Sequence, residues 1–145
     1  MKKSVNDFRM NIPAKSVNEG FIRAVSASFS ALADPNIEEI NDIKTAVSEA
    51  VTNAVVHGYK DKQGRIYIDA VLYDDNTLKV RIRDKGCGIE DVKKAMEPLF
   101  TTAGDERSGL GFSVMESFTD KVIVRSVPFK GTVVTLIKKI SGKCE

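Results

Sequence analysis

Residues 46–59 read AVSEAVTNAVVHGY. They end an amphipathic helix in which apolar residues recur every three or four positions, and at about 100° per residue these side chains form one stripe. The stripe comprises Ile40, Ile43, Val47, Ala50, Val51 and Ala54. Glu49 and Asn53 lie one turn apart on its flank, so a carboxylate and a carboxamide stand at the rim of the core. Such a pair suits ligand binding, although the same spacing fits an ordinary solvated pair at a helix edge.

The composition favours one globular domain over residues 1–145, because 42% of the residues are apolar and the length suffices for one core. The 22 basic and 20 acidic residues nearly balance and form no basic block, which argues against direct contact with nucleic acid. The first residues are too polar for a signal peptide, and no apolar stretch is long enough for a membrane span. Cys87 and Cys144 lack metal-ligand spacing. We therefore expect a cytoplasmic protein without membrane contact.

The chain before this helix predicts a strand and another helix. Residues 5–12 alternate between apolar and polar as in a half-buried strand, and Pro13 ends it. Ser16 and Glu19 have the spacing of a capping box, which predicts a first helix ending near Asp34. The apolar stripe of that helix is predicted to comprise Val17, Phe21, Val25, Phe29 and Leu32.

The second helix and the hairpin after it are also predicted from local patterns. Asp34 or Asn36 can cap the helix, and Gly58 suits a left-handed helix stop. Residues 66–72 and 78–82 then alternate around a polar turn, which predicts an antiparallel hairpin.

Asp84 is in phase with the apolar residues of the second hairpin strand, Leu78, Val80 and Ile82. If the strand extends to residue 84, its carboxylate points into the apolar layer. A buried polar group without a partner costs roughly 2–7 kcal/mol, so Asp84 requires a hydrogen-bond donor.

Two pairs of glycines follow Asp84. Gly86 and Gly88 form a turn in which the backbone can approach a ligand closely, although this motif alone is weak. A short helix is predicted over about residues 90–96. Gly109 and Gly111 open a later apolar stretch, which predicts a helix whose first amides could hold phosphate. The unpatterned segment 97–108 is predicted to be a mobile lid, although a plain surface loop has the same pattern.

Residues 122–127 and 132–137 predict two final strands joined by a turn. In the last strand Thr132 is in phase with Val134 and Leu136, but Val133 and Ile137 offer an equally apolar face. The sequence therefore leaves the buried face of this strand open.

The motifs at Asn53, residues 84–88, residues 109–111 and residues 131–132 together resemble the nucleotide-binding motifs of the gyrase, heat-shock chaperone, histidine kinase and MutL (GHKL) ATPase superfamily. Within it, SEAVTNA (48–54), HGY (57–59), PLFTT (98–102) and ERSG (106–109) resemble the bacterial anti-sigma factors that are also serine-protein kinases, in particular the sporulation members from bacilli. The resemblance spans nearly the whole chain.

The resemblance implies that ATP or ADP binds with Mg²⁺. It assigns Asn53 as the Mg²⁺ ligand, a role that suits a carboxamide oxygen. Asp84 would accept a hydrogen bond from the adenine amino group, and Thr132 would assist at the adenine edge. Gly86 and Gly88 would line the base and the ribose.

The resemblance assigns the phosphate contacts to Thr101, Thr102, Gly104, Arg107, Gly109 and Gly111. Glu49 would be the general base that takes the proton from a serine hydroxyl of a protein substrate. We interpret His57 as a structural residue near the helix end.

The resemblance also implies protein partners. These are a sporulation sigma factor of the sigma-F type, which the protein would bind and inhibit, and an anti-anti-sigma factor, whose serine it would phosphorylate. Arg23 would contact both, although on sequence alone it fits a solvated helix charge. A homodimer is implied as well, and apolar residues of the N-terminal strand could form its interface.

Two other functions compete with a kinase. A nucleotide-gated module that binds a sigma factor without transfer chemistry would not need a base at Glu49. An ATPase with conformational output is disfavoured because no transducer domain follows in this sequence. The expected fold is α/β (α+β): a two-layer sandwich with a mixed, largely antiparallel sheet, covered on one face by helices and holding Asp84 on that face. ATP would lie between the helices and the lid, as in the GHKL (Bergerat-type) fold.

Overall fold

A computed structural model describes residues 2–97 and 111–142. Five strands form one sheet in the order β1-β2-β3-β5-β4, and each neighbouring pair is antiparallel. The strands are β1 (Ser4–Pro13), β2 (Arg65–Tyr73), β3 (Thr77–Asp84), β4 (Lys121–Val127) and β5 (Gly131–Lys139). The sheet expected to be mixed and largely antiparallel thus contains only antiparallel pairs within the described residues.

Helices form the second layer, which confirms the predicted two-layer sandwich. They are α1 (Glu19–Ser30), α2 (Ile37–Thr52), α3 (Val92–Ala95) and α4 (Phe112–Phe118). α2 packs against both α1 and α4 and contacts β5. Between residues 2–97 and 111–142, no helix is both long and apolar enough to cross a membrane.

Pairing with β3 decides which face of β5 is buried. Asp84 lies opposite Thr132, and Ile82 lies opposite Val134. Because side chains alternate along a strand, this register places Thr132 and Val134 on the helix-covered face. They are 7% and 3% exposed, respectively. The face that the sequence left open is therefore set by a neighbouring strand.

The buried stripe of α1 differs from the predicted one. Ile22, Ser26 and Ser30 are buried, whereas Val17 and Phe21 are 81% and 53% exposed. Leu32 is exposed too, while Val25 and Phe29 are partly buried. The helical spacing of the apolar residues predicted the wrong stripe, because the buried face of α1 carries two small serine side chains beside Ile22.

The predicted capping box at Ser16 and Glu19 is absent. Ser16 begins a 3₁₀ turn (Ser16–Asn18), and Asn18, the residue before α1, makes no side-chain cap. α2 has the reciprocal cap instead: Asn36 Oδ1 accepts from the Glu39 N–H at 2.8 Å, and Glu39 Oε1 accepts from the Asn36 N–H at 3.0 Å. The Glu19 carboxylate bonds across to α2, a contact that local spacing cannot reveal.

Gly58 does not end α2 in a left-handed conformation. The helix continues as a π-helical segment (Asn53–Gly58), and the left-handed residues are Lys60 and Asp61, with φ of 53° and 62°. Gly58 is required for another reason, since a Cβ atom there would lie 2.9 Å from Cγ of Asp84. Position 58 therefore requires a glycine because of a tertiary contact with Asp84, and not because the helix ends there.

Candidate functional site

A cavity of about 420 Å³ lies between the end of α2, the covered face of the sheet and α4. Most of its lining is apolar and comprises Ala50, Ile82, Ile89, Phe112 and Val134. Three buried polar side chains, Asn53, Asp84 and Thr132, also line it. An apolar cavity with a few fixed polar groups is the usual form of a small-molecule site.

Asp84 provides the buried carboxylate of this cavity. It is 7% exposed, which confirms the prediction that it faces the apolar layer. Burial raises its pKa, and backbone N–H groups of Gly86 and Thr132 oppose that rise. The Gly86 N–H donates to Asp84 Oδ1 at 2.9 Å, so the required donor comes from its own turn. An ionised carboxylate has further lone pairs, and these can accept from a ligand in the cavity.

The glycines after Asp84 act through close backbone approach. A Cβ atom on Gly86 would lie 2.2 Å from the Gly58 carbonyl oxygen, which also accepts from the Cys87 N–H at 2.9 Å. Gly86 therefore packs the turn onto the end of α2 and is not among the residues that line the cavity. Gly88 does line it, and there φ is +74° and a Cβ atom would lie 2.3 Å from the Val127 carbonyl oxygen.

The π-helical segment presents Asn53 and His57 to the cavity. Its wider turn is visible in the bond from the Tyr59 N–H to the Ala54 carbonyl oxygen, which spans five residues at 2.9 Å. Single π turns inside α-helices occur often at functional sites. Sequence reasoning treated His57 only as structural, and helical periodicity carries no signal for a π turn.

Ser126 is a second residue that the sequence did not single out. Its Oγ accepts from the Ile89 N–H at 2.7 Å and lies 2.8 Å from Thr132 Oγ1. Ser126 lies opposite Thr132 in the pairing of β4 with β5. The register of this hairpin could therefore have identified Ser126 as a neighbour of Thr132. Through these bonds Ser126 fixes Thr132 at the cavity wall.

Glu49 faces a different space, a polar cleft of about 480 Å³ between α1 and α2, which Arg23 and Lys44 also line. A Cβ atom on Gly111 would lie 2.7 Å from Glu49 Oε2, so the backbone before α4 closely approaches this carboxylate. Asn53, one turn further along, lines the apolar cavity. Glu49 thus lines the cleft, whereas Ala50, the next residue along α2, lines the cavity.

The structure accordingly separates the predicted site residues into groups. The cavity receives Asn53, Asp84, Gly88 and Thr132. Glu49 and Arg23 face the cleft, Gly111 lies against Glu49, and Gly86 packs behind the cavity. The remaining predicted residues lie outside the described part of the chain; they are Thr101, Thr102, Gly104, Arg107 and Gly109.

Comparison with known proteins shows which family the chain belongs to. A family model described as a histidine kinase-like ATPase domain matches residues 12–138. An anti-sigma F factor of Thermoanaerobacter sp. (strain X514) is 52% identical over 138 residues, which cover 94% of this chain and 96% of that protein. The anti-sigma F factor of Bacillus subtilis (strain 168) is 46% identical over 138 residues, or 94% of each chain. The chain belongs to the anti-sigma F factor family.

Solved structures with low sequence identity to this chain have a similar fold. The RsbU and RsbW domains of a Mycobacterium tuberculosis protein superpose with a TM-score of 0.69 at 20% identity, covering 97% of this chain and 34% of that one. The histidine kinase domain of a blue-light activated kinase from Erythrobacter litoralis gives 0.58 at 22% identity, covering 90% and 62%. The anti-sigma F family member therefore has a histidine kinase-like ATPase fold, as the sequence motifs predicted.

Proposed function

We propose that this protein is an anti-sigma factor that binds Mg-ATP in the apolar cavity and phosphorylates a serine of an anti-anti-sigma factor. It also binds and inhibits a sporulation sigma factor of the sigma-F type, the kind that its relatives' names indicate. All of these activities reside in one domain, and a protein that acts on a sigma factor is cytoplasmic.

The cavity supports the binding of adenine. Its walls are apolar, and the buried Asp84 carboxylate accepts hydrogen bonds from the exocyclic amino group of the base. Thr132, held by Ser126 at 2.8 Å, adds a hydroxyl at the same wall. Gly88 also lines the cavity, and its lack of a side chain lets this turn pack against the Val127 carbonyl oxygen.

Asn53 fits the role of Mg²⁺ ligand. Its carboxamide is 7% exposed at the cavity wall, and a neutral oxygen donor suits this hard cation, which takes few protein ligands beside water and phosphate oxygens. An ion held by Asn53 would supply positive charge that stabilises the negative charge developing on the phosphate groups during transfer.

The observation that carries the kinase assignment is the position of Glu49 in the polar cleft, one helical turn from Asn53, which lines the cavity. An acceptor serine that enters by the cleft meets the Glu49 carboxylate one helical turn from Asn53. As the serine oxygen bonds to the γ-phosphorus, its proton passes to Glu49. The bond from that phosphorus to the bridging oxygen breaks, and ADP leaves with the electron pair.

A nucleotide-gated module without transfer chemistry is the second candidate. The same cavity would serve it, because Asp84, Asn53 and the apolar wall would bind the nucleotide in the same way. It differs from the kinase in needing no general base in the cleft. A substitution of Glu49 therefore distinguishes the two functions.

A phosphoryl-transfer assay tests the proposal, with γ-labelled Mg-ATP and the anti-anti-sigma factor of the same organism as acceptor. We expect label on an acceptor serine, its loss by at least about 100-fold in Glu49→Gln, and unchanged ATP affinity. Glu38→Gln, the same change at an exposed acid of α2, is the matched control and should retain full activity. Transfer at the normal rate in Glu49→Gln would remove Glu49 as base. If the wild type binds ATP and sigma factor but transfers no label, the module without chemistry is correct.

The homodimer is also part of the proposal. β1 is an edge strand, and the apolar side chain of its residue Val5 is 60% exposed. Exposed apolar groups beside an unpaired strand edge favour association with a second copy. Sedimentation equilibrium should give a dimer for the wild type and a monomer for Val5→Ser with unchanged ATP affinity. A monomeric wild type would refute this interface.

A further inference from the structure

Glu19, the first residue of α1, joins two helices inside the polar cleft. Ser48 Oγ donates to Glu19 Oε2 at 2.5 Å, and Arg23 Nη1 lies 3.3 Å from the same oxygen and 3.4 Å from Oε1. The side chain of Glu19 is 25% exposed and that of Arg23 is 42% exposed. One mostly buried carboxylate therefore restrains both a half-exposed arginine and the neighbouring helix.

The helix contacted by Glu19 is the one that carries the proposed base. Ser48 directly precedes Glu49, and all four side chains, Glu19, Arg23, Ser48 and Glu49, line the same cleft. The bond between Glu19 and Ser48 joins residues 29 positions apart, so it fixes α1 relative to α2. Arg23 and Ser48 thus share one carboxylate partner, and Glu49 is the residue that follows Ser48 in the same cleft.

We propose that Glu19 is a positioning residue for partner binding. Glu19 holds the Arg23 guanidinium at the rim of the cleft. Through its bond to Ser48 it also fixes the position of that guanidinium relative to Glu49. The inference rests on the proposed function, in which Arg23 contacts the partner proteins.

The physical basis is restraint of a flexible side chain. Arginine loses rotamer freedom when a partner fixes it, and restraint before binding lowers that loss. A half-exposed ion pair four residues apart on a helix contributes little to folding. The main consequence of the contact is therefore the orientation of Arg23, and partner affinity is the quantity that should respond.

A double-mutant cycle measures this effect. The dissociation constant for the anti-anti-sigma factor is determined by calorimetry for Glu19→Gln, Ser48→Ala, Arg23→Ala and their combinations. We expect Glu19→Gln and Ser48→Ala each to weaken binding by about 3- to 10-fold, with ATP affinity unchanged. In the Arg23→Ala background neither change should weaken binding further. Ser28→Ala on the exposed face of α1 and Glu38→Gln on α2 are matched controls and should bind normally.

Several results would overturn the inference. Tighter binding in Glu19→Gln would mean that Glu19 competes with the partner for Arg23. Full additivity with Arg23→Ala would mean that Glu19 acts by another route. Ser48→Thr retains the hydroxyl and should restore most of the affinity that Ser48→Ala loses, so failure of this rescue would also contradict the proposal.

A measurement without any partner separates this inference from the proposed function. Phenylglyoxal modifies exposed arginines, and peptide mass mapping gives the rate at Arg23. We expect modification at Arg23 to be several-fold faster in Glu19→Gln than in the wild type, with other arginines as internal controls. Equal rates would refute the restraint itself. A wild type that binds neither partner would instead refute the proposed function and the affinity effect, while a faster rate would still establish the restraint.

Discussion

Replacing Asp84 by asparagine tests whether the buried carboxylate recognises the nucleotide. The variant keeps the size of the side chain and an oxygen that can accept from the Gly86 N–H, which bonds to Asp84 Oδ1 at 2.9 Å. It removes the charge and introduces an N–H donor that opposes the adenine amino group. A hydrogen bond to a charged acceptor contributes about 1.5–3 kcal/mol, so we expect ATP affinity to fall by about 10- to 150-fold.

The stability of the nucleotide-free protein should change in the opposite direction. Burial raises the pKa of Asp84 in the folded state above its unfolded value. Its contribution to stability is therefore complete below the unfolded pKa and is lost as pH rises through the folded pKa. Because asparagine carries no charge, Asp84→Asn should unfold at the same or a higher temperature at neutral pH, and this advantage should disappear in acid.

Fluorescent nucleotide titration and thermal unfolding across a pH series measure the two effects. Asp69→Asn is the matched control, since Asp69 lies on the opposite face of the sheet, 3.4 Å from Arg81 Nε. It should leave ATP affinity unchanged. Unchanged affinity in a folded Asp84→Asn would refute adenine recognition by this carboxylate, and a loss of stability at neutral pH would show that its role is structural.

Glu39→Gln should destabilise the protein by about 1–3 kcal/mol. Partial burial alone would raise the pKa of Glu39, but backbone N–H groups, chiefly that of Ser141, lower it overall. The ionised Glu39 carboxylate therefore stabilises the protein above the unfolded pKa, and this contribution is lost as pH falls through the folded pKa. Urea unfolding should show a smaller difference in unfolding free energy between wild type and Glu39→Gln in acid than at neutral pH, and an equal difference would contradict this. Gly86→Ala should cost about 1–3 kcal/mol, because its Cβ would lie 2.2 Å from the Gly58 carbonyl oxygen. Gly20→Ala, where the nearest atom is 3.5 Å away, should be neutral or slightly stabilising; equal melting temperatures for the two alanine variants would refute the packing argument.

Local periodicity predicted most of the secondary structure. The two-residue alternation of β2 and β3 and the helical spacing of α2 are both visible in the sequence, and they place Asp84 and Asn53 at the core. These predictions succeeded because the repeat of a strand or helix is a property of neighbouring residues. The glycines after Asp84 correctly indicated a turn, but the structure brings Gly86 and Gly88 against other backbone, where the sequence predicted approach to a ligand.

Several predictions failed because the contact that determines the local structure involves residues distant in the sequence. The S-x-x-E spacing at Ser16 predicted a cap, but Glu19 bonds instead to Ser48, 29 residues away. Gly58 suggested a helix stop, whereas its constraint comes from Asp84 on β3. The apolar stripe of α1 was predicted from helical period, but the folded chain buries Ser26 and Ser30 and leaves Phe21 exposed.

The sequence by itself thus determined the order of the elements, the inward phase of Asp84 and the motifs that mark the family. It did so because hydrophobic period and glycine-containing turns are encoded within a few residues. Only the tertiary structure decided the buried face of β5, the π turn at Asn53 and the contact of Glu19 with Ser48. Strand register and helix packing set these three features, and both depend on residues distant in sequence.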